Sequence, residues 1–432
     1  MRKFKVLLAA FVLAMIFGGC AALDLGEMIG AIKNKETTAV TEEVSEKKEE
    51  EPKKPEAGPS AQKADEPKAT EQKATEAQKA EPKVQAPIYN ADIERSNLFQ
   101  GSRVVSAGGY LYMSDPDLGG FYRVSPDGKD AQLITDIYSY NLIYWDGYVY
   151  YISLSYDYYA TGNEPASFKR VRAGGVEEEI IMEEAFCDFF IEDGKLYYYG
   201  KVGEDMGSYY ETDYTNLYCA TLHNPENAEI IFRANGIFRA WPVDGKIILL
   251  AQGDEHDEYP PYYYTDIVEL DPVSGDWEAL FTDDGFMDDF LPYKDVYIVQ
   301  PHIFDVFQGN DCSLYGLDLE WPKSFLFTGL GHMSLDGENQ YIIMGNGSYD
   351  NDFSESLIES ENWGKDYEIL IDLGEYMPKG YYPYTNIFRA EDCLYLYVNV
   401  YPYDYNDPAE PNFIICYDIE SGTYSIMDIF EQ

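Results

Sequence analysis

Clusters of tyrosine and carboxylate side chains are the residues of this 432-residue chain best suited to binding chemistry. They lie between apolar runs and comprise Tyr158, Tyr159, Tyr209, Tyr210, Asp254, His256, Asp257, Tyr262, Tyr263, Tyr264, Asp350, Asp352, Tyr403 and Tyr405. Tyrosine offers a rigid apolar ring with a polar tip, and carboxylates add charge, so such clusters suit sugars, basic peptides or cations. The alternative is that tyrosine is a general strand and loop residue here, since the chain contains 41 of them.

No residue pattern of a known catalytic centre is present in the sequence. The four histidines have no zinc-binding spacing, and there is no nucleophile elbow or phosphate loop. The acidic segment 254–258 could hold a cation, but a solvated loop is the preferred interpretation, and 350–352 lacks the glycine and glutamate of an EF-hand. We therefore assign no catalytic residue, metal or cofactor and keep bound calcium as an alternative. A glycan-cleaving site made of carboxylates around a central channel is the enzymatic alternative.

Charge excludes one class of partner. Of 31 basic and 78 acidic residues, residues 1–90 contain 14 and 15, so residues 91–432 contain 17 and 63, a net charge of −46. Such a field repels phosphate backbones, and nucleic acid is therefore excluded as a partner. The charge favours either simple solubility beside an anionic envelope or the attraction of cations and basic ligands.

The N-terminus has the three parts of an export signal. Met1–Lys5 is basic, Val6–Phe17 is apolar and too short to span a bilayer, and Gly18-Gly19 precedes Cys20. This ending resembles the lipobox of bacterial lipoproteins, which implies removal of residues 1–19 and a lipid on the Cys20 sulfur. Phe17 stands where that motif usually has Leu, Val or Ile. The alternatives, an ordinary secretory signal or an uncleaved anchor, also place the rest of the chain outside the cytoplasm.

Residues 20–90 are expected to form a disordered linker behind the lipidated cysteine. The stretch from Glu42 to Lys83 consists mainly of Glu, Lys, Ala, Pro, Gln and Thr and contains no aromatic residue. It cannot bury enough apolar surface to offset its chain entropy. We therefore expect a spacer that holds residues 91–432 away from a membrane.

An internal repeat organises residues 91–432. A tight turn, often Asp-Gly, precedes an aromatic strand in seven places, at residues 110–113, 148–152, 195–199, 246–248, 296–299, 341–344 and 394–397. Units of roughly 40–55 residues with about four short strands each are typical of propeller blades, and no long helical pattern occurs. We predict an all-β fold, a β-propeller of about seven four-stranded blades. Six or eight blades remain alternatives, because the fifth and sixth units are degenerate.

The repeat units also resemble a known domain family. Asp146-Gly147, Tyr150-Tyr151 and Lys169-Arg170-Val171 are similar to units of a domain of unknown function whose members are described as resembling the propeller of low-density-lipoprotein-receptor-related proteins. That family occurs in secreted and surface proteins of Gram-positive bacteria. The similarity is best over residues 97–182. It implies a fold and a location but no activity.

Loop lengths in such a propeller predict one binding face. In each blade the A–B and C–D turns share one face, and the B–C loops and D–A connections share the other. The long segments are all B–C loops, expected at Ser155–Pro165, Gly203–Thr215, Asp254–Asp266, Gly345–Glu355 and Tyr401–Pro411, and Tyr381–Tyr384 is expected in a D–A connection. They contain the tyrosine and carboxylate clusters, so we expect a candidate ligand face there.

The sequence thus predicts a cell-surface lipoprotein, anchored to the membrane by its lipid, that binds an envelope or extracellular protein or glycan. A carbohydrate-active enzyme and a scaffold for an envelope complex are the alternatives. Five cysteines remain besides Cys20, with no C-x-x-C motif, and most lie in apolar strands. Cys393 and Cys416 fall on neighbouring predicted strands and are the one pair that we expect to be able to form a disulfide.

Overall fold

The computed structural model describes residues 91–115, 120–126, 128–154, 167–183, 186–202, 212–255, 263–283, 287–293, 296–301, 311–316, 323–328, 332–336, 339–346, 353–361, 366–404, 408 and 410–427. Cys20, the signal segment and the linker lie outside these residues, so their predictions remain predictions. Within the described residues, no helix is long and apolar enough to cross a membrane.

Seven antiparallel sheets, each formed from consecutive strands, make up the domain. This arrangement confirms the predicted all-β propeller and fixes the number of blades at seven. Six sheets have four strands in the order A, B, C, D. The third adds a two-residue strand, β11, that pairs with the end of its B strand beside β12.

The strands of blades 1 to 4 follow the chain. Blade 1 contains β1 (Val104–Ala107), β2 (Tyr110–Asp115), β3 (Gly120–Val124) and β4 (Ala131–Thr135). Blade 2 contains β5 (Tyr138–Trp145), β6 (Tyr148–Leu154), β7 (Ser167–Arg172) and β8 (Glu178–Met182). Blade 3 contains β9 (Phe186–Glu192), β10 (Lys195–Val202), β11 (Thr212–Asp213), β12 (Asn216–Thr221) and β13 (Asn224–Arg233). Blade 4 contains β14 (Gly236–Val243), β15 (Lys246–Glu255), β16 (Tyr263–Leu270) and β17 (Trp277–Asp283).

Blades 5 to 7 continue in the same way. Blade 5 contains β18 (Met287–Tyr293), β19 (Val296–Pro301), β20 (Asp311–Gly316) and β21 (Lys323–Thr328). Blade 6 contains β22 (Met333–Leu335), β23 (Gln340–Asn346), β24 (Ser354–Ser360) and β25 (Tyr367–Asp372), followed by a 3-10 turn at Leu373–Tyr376. Blade 7 contains β26 (Tyr381–Ala390), β27 (Cys393–Pro402), β28 (Phe413–Asp418) and β29 (Thr423–Met427).

The Asp-Gly pairs identified in the sequence form the A–B turns of blades 2 to 4. Both residues of each pair have positive φ, 44° and 81° at Asp146-Gly147 and 50° and 72° at Asp193-Gly194. Two consecutive positive φ values define the type I′ turn, whose twist matches that of the two strands it joins. These turns fix the register of the aromatic B strands, which is why the repeat could be recognised.

The A strands line the centre of the ring. The A strands of neighbouring blades contact one another from blade 1 to blade 5 and between blades 6 and 7, and β26 of blade 7 contacts β1 of blade 1. Each A strand runs from the face with the B–C loops, here called the long-loop face, to the face with the A–B and C–D turns, here called the short-turn face. The ring closes by side-chain packing, with Phe388 and Tyr397 of blade 7 in one buried cluster with Val104 and Met113 of blade 1.

A helix, α1 (Ala91–Phe99), lies in the central channel, which the sequence pattern did not predict. It contacts the A strands β5, β18, β22 and β26, and the Phe99 ring stacks on Trp241 of β14 at 6.2 Å. Its buried face is partly polar, so the sequence shows no continuous apolar stripe of helical spacing. Four of its nine residues are buried, including Ser96 and Asn97.

The direction of α1 follows from its partners. Arg95 donates to the carbonyl of Pro242, and Asn97 bonds to Arg389, each one residue from the short-turn end of its A strand. Further along, Gln100 bonds to Ile387, earlier in the same strand as Arg389. The chain therefore enters the channel from the short-turn face and turns back into β1 inside it.

Candidate functional site

Four tyrosines stand together at the long-loop end of blade 7, and we call them the tyrosine cluster: Tyr382, Tyr384, Tyr401 and Tyr403. The first two lie at the start of β26, and Tyr401 lies at the end of β27, directly opposite Tyr382 in the strand register. Tyr403 follows β27 and is held by its backbone N–H, which donates to the Gly380 carbonyl at 2.9 Å. All four side chains are half-buried, so each keeps part of its ring accessible.

The rings of the tyrosine cluster pack on one another. Ring centroids of Tyr382 lie 5.8 Å from Tyr401 and 5.2 Å from Tyr403. The Tyr403 hydroxyl donates to the Phe353 carbonyl of blade 6 at 2.9 Å, and the Phe353 ring meets Tyr382 edge-on at 6.0 Å. These contacts across the boundary of blades 6 and 7 hold the rings in fixed orientations, which lowers the entropy cost of binding a ligand.

A buried polar layer lies beside the tyrosine cluster. The Glu355 side chain in β24 is 4 % exposed, and its Oε2 atom has no hydrogen-bond partner among the described residues. Burial raises the pKa of Glu355 to about 8, although the hydroxyl and backbone amide of Thr385 oppose the shift. The carboxyl group is therefore neutral at pH 7.

His332 joins this layer to the tyrosine cluster. Its Nδ1 donates to the Thr385 carbonyl, and its ring meets Tyr384 edge-on at 5.0 Å. Burial lowers the pKa of His332, so the imidazole is neutral as well. Glu355, Thr385, His332 and Tyr384 thus form a contiguous group at the inner end of the boundary between blades 6 and 7.

A second polar network lies in the channel. Asp188 of β9 accepts hydrogen bonds from Arg239 at 2.8 Å, Tyr199 at 2.9 Å, Asn141 at 2.8 Å and the Phe189 N–H at 2.8 Å. Burial raises the pKa of Asp188, and the Arg239 guanidinium opposes this shift. A carboxylate held by four donors joins blades 2, 3 and 4 and is not free to act as a general base.

Removing this carboxylate is expected to destabilise the fold. Asp188→Ala leaves Arg239, 9 % exposed, buried without its ionic partner, which costs about 3 kcal/mol. Urea unfolding followed by tyrosine and tryptophan fluorescence measures the loss. The exposed Asp136→Ala is the matched control and should change stability by less than about 0.5 kcal/mol. Equal stability of the two variants would show that the Asp188–Arg239 pair contributes nothing.

The described residues include four of the fourteen predicted ligand-face residues. Tyr403 lies directly after β27, inside the predicted B–C loop, and belongs to the tyrosine cluster. The others lie in strands rather than loops, Asp254 near the end of β15 and Tyr263 and Tyr264 at the start of β16. Outside the described residues lie Tyr158, Tyr159, Tyr209, Tyr210, His256, Asp257, Tyr262, Asp350, Asp352 and Tyr405.

The predicted loops Asp254–Asp266, Gly345–Glu355 and Tyr401–Pro411 overlap the ends of strands, because β15 ends at Glu255, β16 begins at Tyr263, β23 ends at Asn346, β24 begins at Ser354 and β27 ends at Pro402. Strand pairing extends further at the long-loop face than the apolar pattern suggested, because Glu255 pairs with Tyr263 and Asn346 pairs with Ser354. The segment Tyr381–Tyr384 belongs to β26 rather than to a D–A connection, since Tyr381 pairs with Pro402. Tyrosine has high strand propensity, and these residues extend the blade edges instead of forming loops.

Glu355 was missed by sequence reasoning, although the sequence contained a signal for it. It stands two residues before Leu357, which is fully buried, so both side chains point to the same side of β24. A carboxylate at an inward position of a strand is unusual and marks a site. His332 and Phe353 carried no comparable signal, because each lies just outside a strand.

The cysteine pair singled out in the sequence is adjacent in the structure. Cys393 lies opposite Asp418, and Cys416 lies opposite Tyr395, so the two cysteines are diagonal neighbours on β27 and β28. Both are free thiols, and a hydrogen bond between them lowers the pKa of Cys416. The disulfide remains a prediction. No group of three or more His, Cys, Asp or Glu side chains in the described part of the chain is arranged to hold a metal ion.

Comparison with known proteins yields distant structural similarity. No protein-family model and no curated protein matches the chain. An oligogalacturonate lyase of Vibrio parahaemolyticus is similar over 75 % of this chain and 85 % of its own, with 11 % identity and a TM-score of 0.46. The β-propeller domain of the Trilobed protease of Pyrococcus furiosus covers 68 % and 99 %, with 13 % identity and a TM-score of 0.39.

TolB of Acinetobacter baumannii is similar over 75 % of this chain and 77 % of its own, with 11 % identity and a TM-score of 0.37. At these scores and identities the similarities carry no inference about activity, substrate or partner. The propeller assignment rests on the seven sheets themselves.

Proposed function

We propose that this protein is a lipid-anchored extracytoplasmic binding protein of the kind found on Gram-positive cell surfaces. Cys20 carries the lipid, residues 20–90 form the spacer, and the propeller binds an envelope or extracellular partner through its long-loop face. The partner is a protein or a glycan. The observation that supports this function most directly is the tyrosine cluster.

Several properties of the tyrosine cluster suit a binding surface. Its four rings are half-buried, and they are fixed by contacts to Phe353 and to one another. Rigid aromatic side chains with polar tips are enriched at the energetically important centres of binding interfaces. They lie at the long-loop end of blade 7, beside blade 6, on the face for which the sequence predicts ligand binding.

The position of α1 shows at which face of the propeller the described chain begins. Since Ala91 begins α1 at the short-turn face, a spacer that ends at residue 90 joins the propeller on that side. The tyrosine cluster lies at the opposite face.

Capture from solubilised membranes tests the proposal. Wild-type protein and the double variant Tyr401→Ala/Tyr403→Ala are used as bait, and captured proteins and glycans are quantified. We expect the double variant to retain no more than about a tenth of the wild-type capture, because central aromatic residues each contribute about 2 kcal/mol to such interfaces. Cys20→Ala should release the protein from the membrane fraction.

The matched control is Tyr367→Ala, which removes a tyrosine that is 48 % exposed on the outer strand of blade 6. It should capture as the wild type does. Thermal unfolding of each bait establishes that the variants are folded. Capture that is equal for the double variant and the control would contradict the proposed face, and a Cys20→Ala protein that stays in the membrane would contradict the proposed anchor.

A further inference from the structure

We propose that the partner bound at the tyrosine cluster is a basic polypeptide segment, with a lysine or arginine side chain inserted between the rings and the Glu355 carboxyl. This inference rests on the proposed function and specifies the chemistry of its ligand. The two parts of the site are the accessible ring faces and the unpartnered carboxyl oxygen beside them.

Long-range charge favours a basic ligand. Residues 91–432 carry 63 acidic and 17 basic residues, so the propeller attracts cations and repels anionic polymers. Asp404, directly after Tyr403, is exposed at the tyrosine cluster and adds a local negative charge. A polypeptide with several Lys or Arg residues would be steered to this surface, whereas a neutral glycan would gain nothing from the field.

Tyrosine rings elsewhere in this propeller already contact cations. The Arg123 guanidinium lies 4.2 Å from the Tyr110 ring centroid, and Arg170 lies 4.2 Å from that of Tyr148. These distances are within the range of favourable cation–π contacts. The tyrosine cluster presents the same type of surface to the outside, with four rings close together instead of one or two.

The buried Glu355 carboxyl group also favours a cationic ligand. Glu355 Oε2 has no described partner, although buried polar atoms are nearly always hydrogen-bonded. The groups beside Glu355 are the hydroxyl and backbone amide of Thr385 and, bonded to that same residue, the neutral imidazole of His332; Asp372 on the neighbouring strand lies opposite Ser356 and is exposed. None of these is a cation. A ligand ammonium or guanidinium at Oε2 would satisfy the orphaned atom and favour its ionised form.

This arrangement makes proton release a signature of binding. The pKa of Glu355 is about 8 in the unliganded protein, so the carboxyl is protonated at pH 7. A docked cation lowers that pKa, and the proton is transferred from the Glu355 carboxyl to the buffer. Roughly one proton per bound segment should therefore be released at pH 7.

Isothermal titration calorimetry in phosphate and in Tris measures both affinity and protons released. The probes are octalysine and octaarginine, with octaglutamate and cellohexaose as comparison ligands, at 150 mM NaCl. We expect binding of the two basic peptides with proton release, which Glu355→Gln abolishes. We expect Asp404→Lys, and separately Tyr401→Ala/Tyr403→Ala, to weaken binding by about tenfold.

The matched controls separate a specific site from the overall field. Glu420→Lys makes the same charge change as Asp404→Lys, in an exposed turn of the same blade but on the short-turn face, and Tyr367→Ala removes an unrelated tyrosine. Both should change affinity by less than about twofold. Equal weakening by Asp404→Lys and Glu420→Lys, or binding without proton release, would overturn the inference in favour of non-specific attraction.

Failure here is distinguishable from failure of the proposed function. If membrane capture depends on Tyr401 and Tyr403 but the basic peptides bind without regard to them, the proposed binding face stands and the basic ligand is wrong. Cellohexaose that binds and depends on the same tyrosines would identify a glycan ligand in its place. If neither capture nor peptide binding depends on the tyrosine cluster, both proposals fail.

Discussion

Replacing Asn97 and Gln100 together with alanine is expected to lower the free energy of unfolding by on the order of 5 kcal/mol. The Asn97 amide accepts from the Arg389 N–H at 2.9 Å and donates to the Arg389 carbonyl at 2.7 Å. The Gln100 amide accepts from the Ile387 N–H at 3.1 Å and donates to the carbonyls of Ile387 and Met333, each at 2.8 Å. Alanine at both positions leaves these five backbone groups without partners.

The expected effect is large because the two amides complete the inner edge of β26. An A strand has no further strand on its channel side, so its backbone groups there need other partners. The two side chains supply them at alternate residues of β26. Among the described residues each sheet consists of consecutive strands only, so no described strand crosses from blade 7 to blade 1. The helix in the channel and the packing at that boundary therefore hold the ring closed.

Urea unfolding measures this loss, with the slope of the transition as a check on two-state behaviour. Asn227→Ala, in an exposed position of β13, is the matched control and should change stability by less than about 0.5 kcal/mol. A double variant that loses less than about 1 kcal/mol would show that the channel helix contributes little to closure of the ring.

Glu355→Gln is expected to make the propeller more stable at pH 8 to 9 and to remove a pH dependence of the wild type. The folded-state pKa of Glu355 is about 8, above its ordinary value of 4.5, so the native state binds this proton more tightly than the unfolded chain does. The stabilisation that the protonated Glu355 carboxyl contributes is complete below pH 4.5 and is lost as the pH rises through about 8. The total loss is on the order of 4 kcal/mol.

The titration of His332 changes the free energy of unfolding with pH in the opposite direction, so its effect must be separated from that of Glu355. Because burial lowers the pKa of His332, its contribution is present above the ordinary value of 6.5 and is lost as the pH falls below it. The difference in unfolding free energy between wild type and Glu355→Gln, measured from pH 5 to pH 9, isolates the glutamate. Glu420→Gln, an exposed substitution, should leave the wild-type profile unchanged. A difference that stays constant across this range would refute the buried, neutral carboxyl.

Local turn chemistry explains why the sequence predicted so much of the fold. Asp146-Gly147 and Asp193-Gly194 can form type I′ turns, and the aromatic strands after them have a fixed register. Each such unit is recognisable without knowledge of its neighbours. Seven blades were found because the signal for each blade lies within about ten residues of chain.

Features that depend on contacts between blades were not predictable in this way. Asn97 and Gln100 resemble surface residues in sequence, and only the inner edge of β26 gives them a buried role. The tyrosine cluster joins residues from β26, β27 and the segment after β27, with a partner in blade 6. Tyr403 was predicted as a ligand-face residue from composition, whereas its contact with Phe353 depends on how two blades pack.

Site-specific photocrosslinking on intact cells tests most directly whether the tyrosine cluster is the surface that binds the partner. A photoreactive phenylalanine analogue replaces Tyr403 in one variant and Tyr367, on the outer strand of blade 6, in the other. We predict a discrete crosslinked species from position 403 that is absent from position 367. Crosslinks from position 367 alone, or the same species from both positions, would contradict the claim.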